Sequence, residues 1–358
     1  MIQGRHFSLS SFRSILAGLS ALFIFSASLG AATWYVDGNA RGANNGTSWA
    51  DAWQSLGSMR GLLPGDTVYI SGGPSGSTQI YDMDANGRPY PNFTSLAGFR
   101  NGTAGSSITY RIGQDSAHNG RAVFTTTKGG HFLFSPSYIN FVGDAGDGLM
   151  HFSIVGFDDL ISAQNSVDVR VAYFDCGEIN RFAICNPANG IEIDHCYAKI
   201  VSMTADNAIQ FRFIGTTWDE NSIHDCTLLI PNAGSGTGAD GIAGGGSGYS
   251  LYNNTIAGYT TAYVGGQHQD GWQALSGSYI KIYGNTFIDI GNYPIFGDAM
   301  NGDFSHLWVY NNIIKLTSAG LQASVAPQGI AIGPDGGVFR NLGRYPTFTD
   351  IIIANNTI

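Results

Sequence analysis

The chain has 358 residues, of which 43% are hydrophobic, 12% aromatic and only 12% charged, and it contains 50 glycines. Glycine is therefore about twice as frequent as usual, yet it lacks the every-third period of collagen, and the apolar content excludes intrinsic disorder. The formal net charge of −9 argues against nucleic acid as a partner.

The first 32 residues have the organisation of a secretory signal peptide. Arg5 and Arg13 precede an apolar run, Ile15 to Leu29, which is followed by small residues at 30–32. The run is shorter than the ~20 residues that a membrane span needs. We therefore predict cleavage near 30–32 and a secreted protein, extracellular, periplasmic or on the cell surface, with no membrane span afterwards. Since the leader holds two of the 17 basic residues and none of the 26 acidic ones, the mature net charge is −11.

The segment after the leader is rich in aromatic residues and in turn-forming Asn, Gly and Asp. Its phrases are Trp34-Tyr35-Val36-Asp37, Asn44-Asn45-Gly46-Thr47-Ser48-Trp49, Ala52-Trp53, Gly65-Asp66-Thr67-Val68-Tyr69-Ile70 and Ile108-Thr109-Tyr110-Arg111. This opening resembles the entrance of secreted bacterial right-handed β-helix proteins of the pectin-lyase-like superfamily. The resemblance implies one parallel β-helix over 33–358, with an N-terminal cap and first turns in 33–150 and regular turns in 151–358. Trp49 and Trp53 are expected to cap the open end.

From residue 150 onward a short phrase of alternating apolar residues recurs, and it ends on a small or amide side chain. The final residues of these phrases are Ala172, Cys196, Cys226, Asn254, Asn285, Asn312 and Asn356. A second apolar phrase precedes most of them, and Gly, Asn and Asp separate the two. Strands that repeat every ~22–30 residues without helices predict a solenoid in which each strand pairs with its counterpart one turn later.

We therefore predict an all-β, right-handed parallel β-helix in which equivalent residues stack ~4.8 Å apart. Asn254, Asn285, Asn312 and Asn356 would form an inward ladder at a corner, with Cys196 and Cys226 in the same column, because Asn bonds to nearby backbone and tolerates left-handed conformation. The chain stops inside a strand phrase, so we expect the C-terminal end to be truncated. We expect a monomer.

The four cysteines are too few and too clustered for a cystine framework, and no C-x-x-C pair suggests zinc. Export permits disulfides, and Cys176 with Cys185 is the one pairing that the spacing favours.

A column of polar residues at one corner is the first candidate site. Aligned turn by turn, Asn207, Asp240 and Asp270 fall in one column beside His268. Two carboxylates about 5 Å apart need a shared proton or a cation, which suits general acid–base catalysis or calcium binding by Asp240 and Asp270. His268 could act as base or acid. Alternatively, the Asp-Gly dipeptides are corner residues whose carboxylates bond to turn amides.

Side chains that alternate with inward apolar residues are expected to face outward. Gln210, Gln273 and Arg212 would then line a saccharide groove, and Lys281, between Ile280 and Ile282, would also point outward. Trp272 shares the column of Ile209 and Ile242 and is predicted to be in the core. His195, His224 and His306 are expected to be incidental.

Two enzyme classes on this fold resemble the candidate site. In polygalacturonase-type hydrolases neighbouring turns carry stacked aspartates, which Asp240 and Asp270 match, although the G-H-G and R-I-K phrases are missing. In polysaccharide lyases a cation or Arg neutralises a uronate, and Lys, Arg or His removes the adjacent proton. Here the resemblance implies calcium at Asp240 and Asp270 and His268, Arg212 or Lys281 as the base.

We therefore expect a polysaccharide-cleaving enzyme, a lyase ahead of a hydrolase. A non-catalytic glycan-binding or cell-surface β-helix is the alternative, since fold alone does not separate these functions.

Overall fold

A computed structural model describes residues 30–87, 91–201, 207–231, 240–258, 269–319, 329–333 and 343–358. Apart from 30–32, the predicted signal peptide lies outside the described residues. Ala31–Ile358 form one compact unit. Within the described ranges no helix is both long enough and apolar enough to cross a membrane.

The described residues form 25 strands and three short 3-10 helices, the latter at Leu56–Ser58, Asp84–Asn86 and Phe93–Ser95. The strands are β1 Thr33–Val36, β2 Thr67–Ile70, β3 Thr78–Asp82, β4 Ile108–Ile112, β5 Arg121–Thr125, β6 His131–Phe134, β7 Ile139–Val142, β8 Phe152–Val155, β9 Asp159–Ser162, β10 Ser166–Ala172, β11 Phe174–Ile179, β12 Arg181–Asp194, β13 Tyr197–Ile200, β14 Asn207–Ile214, β15 Asn221–His224, β16 Thr227–Ile230, β17 Asp240–Tyr252, β18 Thr255–Gly258, β19 Trp272–Tyr283, β20 Thr286–Ile288, β21 Ile295–Gly297, β22 Phe304–Tyr310, β23 Ile313–Lys315, β24 Ile330–Ile332 and β25 Phe348–Ala354.

Each circuit of the chain, called a coil here, runs along three faces. Face A contains β6, β9, β14, β21, β24 and the first parts of β12, β17 and β19. Face B contains β1, β2, β4, β7, β10, β15, β22, β25 and the second parts of the same three long strands. Face C contains β3, β5, β8, β11, β13, β16, β18, β20 and β23.

The strand pairing confirms the predicted solenoid. Every pair of named strands is parallel, and each strand pairs with its equivalents in the coils before and after, as β10–β12–β15–β17–β19–β22–β25 do along face B. Faces A and B belong to one 16-stranded sheet because three long strands bend across their shared edge, while face C is a separate nine-stranded sheet. The architecture is a right-handed parallel β-helix.

The core lies between the three faces and is built from stacked apolar columns. One column on face A is Ile209, Ile242, Trp272 and Ile295, in register. All four are fully buried, which confirms the predicted core position of Trp272. Each large side chain buried in this way stabilises the fold by about 1.5–3 kcal/mol.

The asparagine ladder at the corner between faces B and C is also confirmed. The Oδ1 atom of each ladder residue accepts the backbone N–H of its equivalent one coil earlier. Oδ1 of Asn285 accepts from Asn254, and Oδ1 of Asn312 accepts from Asn285, each at 3.0 Å. Cys226 occupies the same column, and its N–H donates to Asn254 at 3.1 Å. The left-handed residue is the one before the ladder position, such as Asn253 with φ +55°, and not the ladder asparagine itself.

The predicted disulfide is wrong. Cys176, Cys185, Cys196 and Cys226 are all free and buried. Cys176 stands on face C and Cys185 on face A, so nearness in sequence does not pair them. Burial raises the pKa of Cys185 to about 12, which leaves its thiol protonated and unreactive at neutral pH.

The two tryptophans expected at the N-terminal end have different positions. Trp53 is fully buried, pairs with Val36 in an isolated bridge and stacks on Trp34, with ring centroids 5.1 Å apart. It fits the predicted cap. Trp49 instead lies over His118, with ring centroids 3.8 Å apart, and donates through Nε1 to Asp115 at 3.0 Å.

Candidate functional site

The structure brings the predicted polar column together at the corner between faces C and A. Asn207 pairs with Asp240 in register, and the backbone N–H of Asp270 donates to Oδ1 of Asp240 at 2.9 Å. His268 lies outside the described residues. The stacking of Asn207, Asp240 and Asp270 on successive coils is therefore as the sequence predicted.

The contacts of the two carboxylates are those of corner residues. Asp240 accepts the backbone N–H of the next coil, and Oδ1 of Asp270 accepts Nδ2 of Asn292 at 3.0 Å and the N–H of Tyr293 at 2.9 Å. The residues are 4% and 0% exposed. A calcium ion takes six to eight oxygen ligands, whereas the Oδ1 atom of each of these residues accepts N–H donors. This geometry fits the turn-amide alternative better than calcium ligation.

The outer surface of face A carries the outward side chains that the alternation predicted. Gln210 and Arg212 are exposed and Gln273 is half-buried. Gln210, Ala243 and Gln273 are in register on three successive coils, and Arg212 pairs with Gly245. This surface therefore offers amide donors and acceptors at Gln210 and Gln273, two coils apart in one column, and a guanidinium at Arg212, two residues beyond Gln210 on the same strand.

Arg212 stands out among the charged groups of face A. It has no hydrogen-bond or ion-pair partner within the part of the chain that the structure describes. A Cβ built at Gly245, its neighbour on the next coil, would meet nothing within 4 Å among those residues, and the backbone there is not left-handed. Among the described residues, therefore, nothing fills the space at the position next to Arg212 on the following coil.

Lys281 points outward as expected, but the structure places it on face B. It lies in the second part of β19, beyond the bend, next to Ser250 and Trp308 in register. Its Nζ bonds to Asp219 at 2.5 Å and lies 5.0 Å from the ring centroid of Trp218. The structure therefore does not group Lys281 with the Asp240 column.

A cluster of imidazoles, carboxylates and one guanidinium lies on the outer side of face B, near the corner with face C. We call it the histidine–carboxylate cluster, and its members are Arg170, Glu192, Asp194, His195, His224 and Asp225. Arg170 holds Asp194 through two bonds of 2.9 Å. Nδ1 of His224 lies 2.8 Å from Asp225, and its Nε2 lies 3.3 Å from Glu192. Nδ1 of His195 lies 2.9 Å from Asp194.

The charges of this cluster perturb one another. The hydrogen bond from His224 lowers the pKa of Glu192. Burial disfavours the charged imidazole of His224, but its bonds to Glu192 and Asp225 outweigh burial and raise its pKa. Hydrogen bonding to Asp194 raises the pKa of Arg170. The ionic forms of Arg170, Glu192 and His224 are therefore favoured, and perturbed titratable groups of this kind mark candidate functional sites.

Sequence reasoning missed this cluster, because His195 and His224 were expected to be incidental. A signal was nevertheless present: Asp194-His195 and His224-Asp225 hold the same two residue types in opposite order, one coil apart. Reversal of the order places an imidazole beside a carboxylate in both columns. His306, the third such histidine, stacks on Tyr279 with ring centroids 4.6 Å apart.

No protein-family model and no curated protein matches the chain. Similar solved structures include pectate lyase Pel9A, at 14% identity over 92% of this chain and 79% of that chain, with a TM-score of 0.47. An alginate lyase from Paenibacillus sp. str. FPU-7 has 14% identity over 83% and 97% of the two chains, TM-score 0.46. A rhamnogalacturonan lyase has 15% identity over 91% and 87%, TM-score 0.40. At these identities the likeness concerns the fold alone, which the strand pairing establishes independently.

Proposed function

We propose that the protein cleaves an acidic polysaccharide along face A by β-elimination. The observation that supports this most directly is Arg212, an exposed guanidinium without a carboxylate partner among the described residues, two residues beyond Gln210 on a face that also carries Gln273. A planar guanidinium binds a carboxylate through two parallel hydrogen bonds. A uronate residue supplies that carboxylate.

The proposed chemistry follows from charge. When Arg212 binds the uronate carboxylate, it withdraws electron density and stabilises the negative charge that develops as the adjacent ring proton is removed. The electron pair of the broken C–H bond then forms a double bond, and the C–O bond on the neighbouring ring carbon breaks. The glycosidic oxygen leaves and takes a proton from solvent to become a hydroxyl. Gln210 and Gln273 would hold ring hydroxyls. His268 is proposed as the base.

Asp240 and Asp270 lie at the edge of the proposed substrate surface. Their observed contacts organise the corner from which face A begins, three residues before Ala243 and Gln273 in the chain. We also propose Asp240 and Asp270 as an acid–base pair or as calcium ligands. Asn207, in the same column, is proposed as a substrate contact.

The test is incubation of the purified chain with acidic and neutral polysaccharides while reducing ends and the ultraviolet absorbance of unsaturated uronides are followed together. We expect both signals to rise with an acidic substrate. R212Q is expected to lower kcat/KM by at least about a hundredfold, since it removes a charge-assisted bidentate contact. H268Q, D240N and D270N identify the base and the role of the column.

Gly245 offers a test of whether the substrate binds along face A. Gly245→Trp introduces a large side chain into the open space beside Arg212, so it should block substrate without unfolding the chain. Ile80→Trp is the matched control, because Ile80 is 67% exposed on face C and the same bulk there should leave activity unchanged. Full activity of Gly245→Trp would contradict binding on face A.

The remaining outcomes select the alternatives. New reducing ends without absorbance would identify a hydrolase, and loss of absorbance with chelator would restore calcium to the mechanism. Binding without cleavage across the panel would favour the glycan-binding β-helix.

A further inference from the structure

At the corner between faces B and C, two successive side chains of these coils point away from the core, where an ordinary strand would alternate them; the first, Asp194 or His224, is covered by its neighbours and the second, His195 or Asp225, is partly exposed. Ile193 and Ile223 are buried, and Cys196 and Cys226 are buried, so the two residues between them in each coil lie outside the core. The second residue of each pair is left-handed, with φ +51° at His195 and φ +52° at Asp225.

This corner stacks the reversed pairs directly. Asp194 pairs with His224 in register, so the residues that follow them, His195 and Asp225, are also neighbours one coil apart. Neighbouring strands lie about 4.8 Å from each other. The result is a square of two imidazoles and two carboxylates in which each imidazole neighbours a carboxylate along the chain and across the coils.

The donor atoms of this square are close enough to share one ion. One ligand atom each from His195, His224 and Asp225 lies within 4.8 Å of the other two, and the same holds for Glu192, Asp194 and His224. Ligands at about 2.0–2.2 Å from a tetrahedral zinc ion stand about 3.3 Å apart. Side-chain rotations that move each donor by about 1 Å therefore close the first set around a cation.

Asp194 and Arg170 hold the His195 ring in place. The Asp194 side chain is 0% exposed and is fixed by Arg170, and it in turn bonds to Nδ1 of His195. A carboxylate that bonds to one ring nitrogen of a histidine fixes its orientation and makes the other nitrogen a better ligand. His195 thereby has Nε2 available for an ion, and its side chain is 40% exposed, which leaves an entry path from solvent.

We propose that His195, His224 and Asp225 form a site for one divalent transition-metal ion of the zinc class, with Asp194 as the positioning residue behind His195. Two imidazole nitrogens and a carboxylate oxygen suit zinc and its neighbours in the first transition row, whereas calcium requires an all-oxygen shell. The ion joins two successive coils across the B–C corner and lies on a different face from Arg212. This inference does not depend on the proposed enzymatic function.

The test uses the tag-free chain, freed of metal by chelator and then dialysed. Zinc chloride is titrated calorimetrically, and cobalt chloride is added in a parallel sample to record the visible absorbance of the bound ion. We expect one zinc ion per chain, a cobalt spectrum that zinc abolishes, and a higher Tm with zinc than without it.

Two variants remove single donors at little structural cost. His195→Asn and Asp225→Asn both keep a side chain that tolerates the left-handed backbone, and circular dichroism verifies their fold. Each should weaken zinc binding by at least about tenfold and abolish the zinc-dependent rise in Tm. His151→Asn is the matched control, since His151 bonds to a carboxylate, Asp147 at 3.0 Å, outside the cluster, and it should bind zinc as the wild type does. A wild-type chain that binds no zinc, or zinc binding that both donor variants retain, would overturn the proposal.

Discussion

Replacement of Asn285 by alanine should reveal how much of the fold depends on the B–C corner. Asn285 is 1% exposed. Its Oδ1 accepts the backbone N–H and the Nδ2 of Asn254, each at 3.0 Å, and its Nδ2 donates to the carbonyl of Leu251 at 2.9 Å and to Oδ1 of Asn312 at 3.0 Å. One side chain thus joins three consecutive coils.

The expected loss in the free energy of unfolding follows from the backbone groups that would lose hydrogen-bond partners. Without the amide, the buried N–H of Asn254 loses its acceptor and the carbonyl of Leu251 loses a donor, and a buried group left unsatisfied costs about 1–3 kcal/mol. With the small cavity added, Asn285→Ala should lower the free energy of unfolding by about 3–5 kcal/mol. Asn285→Cys should cost less, because Cys226 occupies the same column and its Sγ bonds to the His224 carbonyl at 3.2 Å.

Urea unfolding followed by far-ultraviolet circular dichroism gives the measurement, with the slope of the transition compared between variants. Asn140→Ala is the control, because Asn140 lies on the outer side of face B and makes one long bond of 3.4 Å to Thr109. Its loss should stay within about 0.5 kcal/mol. If Asn285→Ala lost no more than this control, the ladder would not be the element that holds the coils together.

Two further predictions concern stability. The backbone hydrogen bond from Thr216, and then the side chain of Asn189, lower the pKa of Glu220 to about 2. The contribution of Glu220 to the free energy of unfolding is therefore present above the unfolded pKa of about 4.5 and disappears as the pH falls toward 2. Glu220→Gln should therefore be less stable than the wild type by up to about 1 kcal/mol at pH 7, with the two melting curves converging near pH 2; a difference independent of pH would contradict the assignment. Phe141→Ala removes a fully buried ring and should cost about 3–5 kcal/mol in urea titrations, whereas exposed Ile80→Ala should cost less than about 0.5, and equal losses would refute the packing argument.

The repeated architecture could be predicted because every coil needs the same residue types at equivalent positions. Inward positions such as Ile242 and Trp272 must be apolar in every coil, and the corner must satisfy buried backbone groups, which Asn254 and Asn285 do. Three or more repetitions make such a pattern visible without any structure. The polar column of Asp240 and Asp270 was found for the same reason.

The distribution of polar side chains between faces could not be predicted in this way. Lys281 and Gln273 both point outward from β19, yet the strand bends between them, where the register with β17 shifts. Alternation shows whether a side chain is inside or outside, but it carries no information about which face follows a bend. The histidine–carboxylate cluster was missed for a related reason, since two successive outward residues at a left-handed corner break the alternation that the sequence reasoning relied on.

The B–C corner also determines where this molecule can accept new sequence. Two residues separate β15 from β16, β17 from β18, β19 from β20 and β22 from β23, whereas the connections from face C to face A range from Asn180 alone to 316–329. A residue inserted at the B–C corner would displace a ladder amide from its column. A segment inserted in a C–A connection would leave the register of every strand unchanged. The C–A connections are therefore the natural positions for grafting a foreign loop, and variation there can alter what borders face A while the scaffold stays the same.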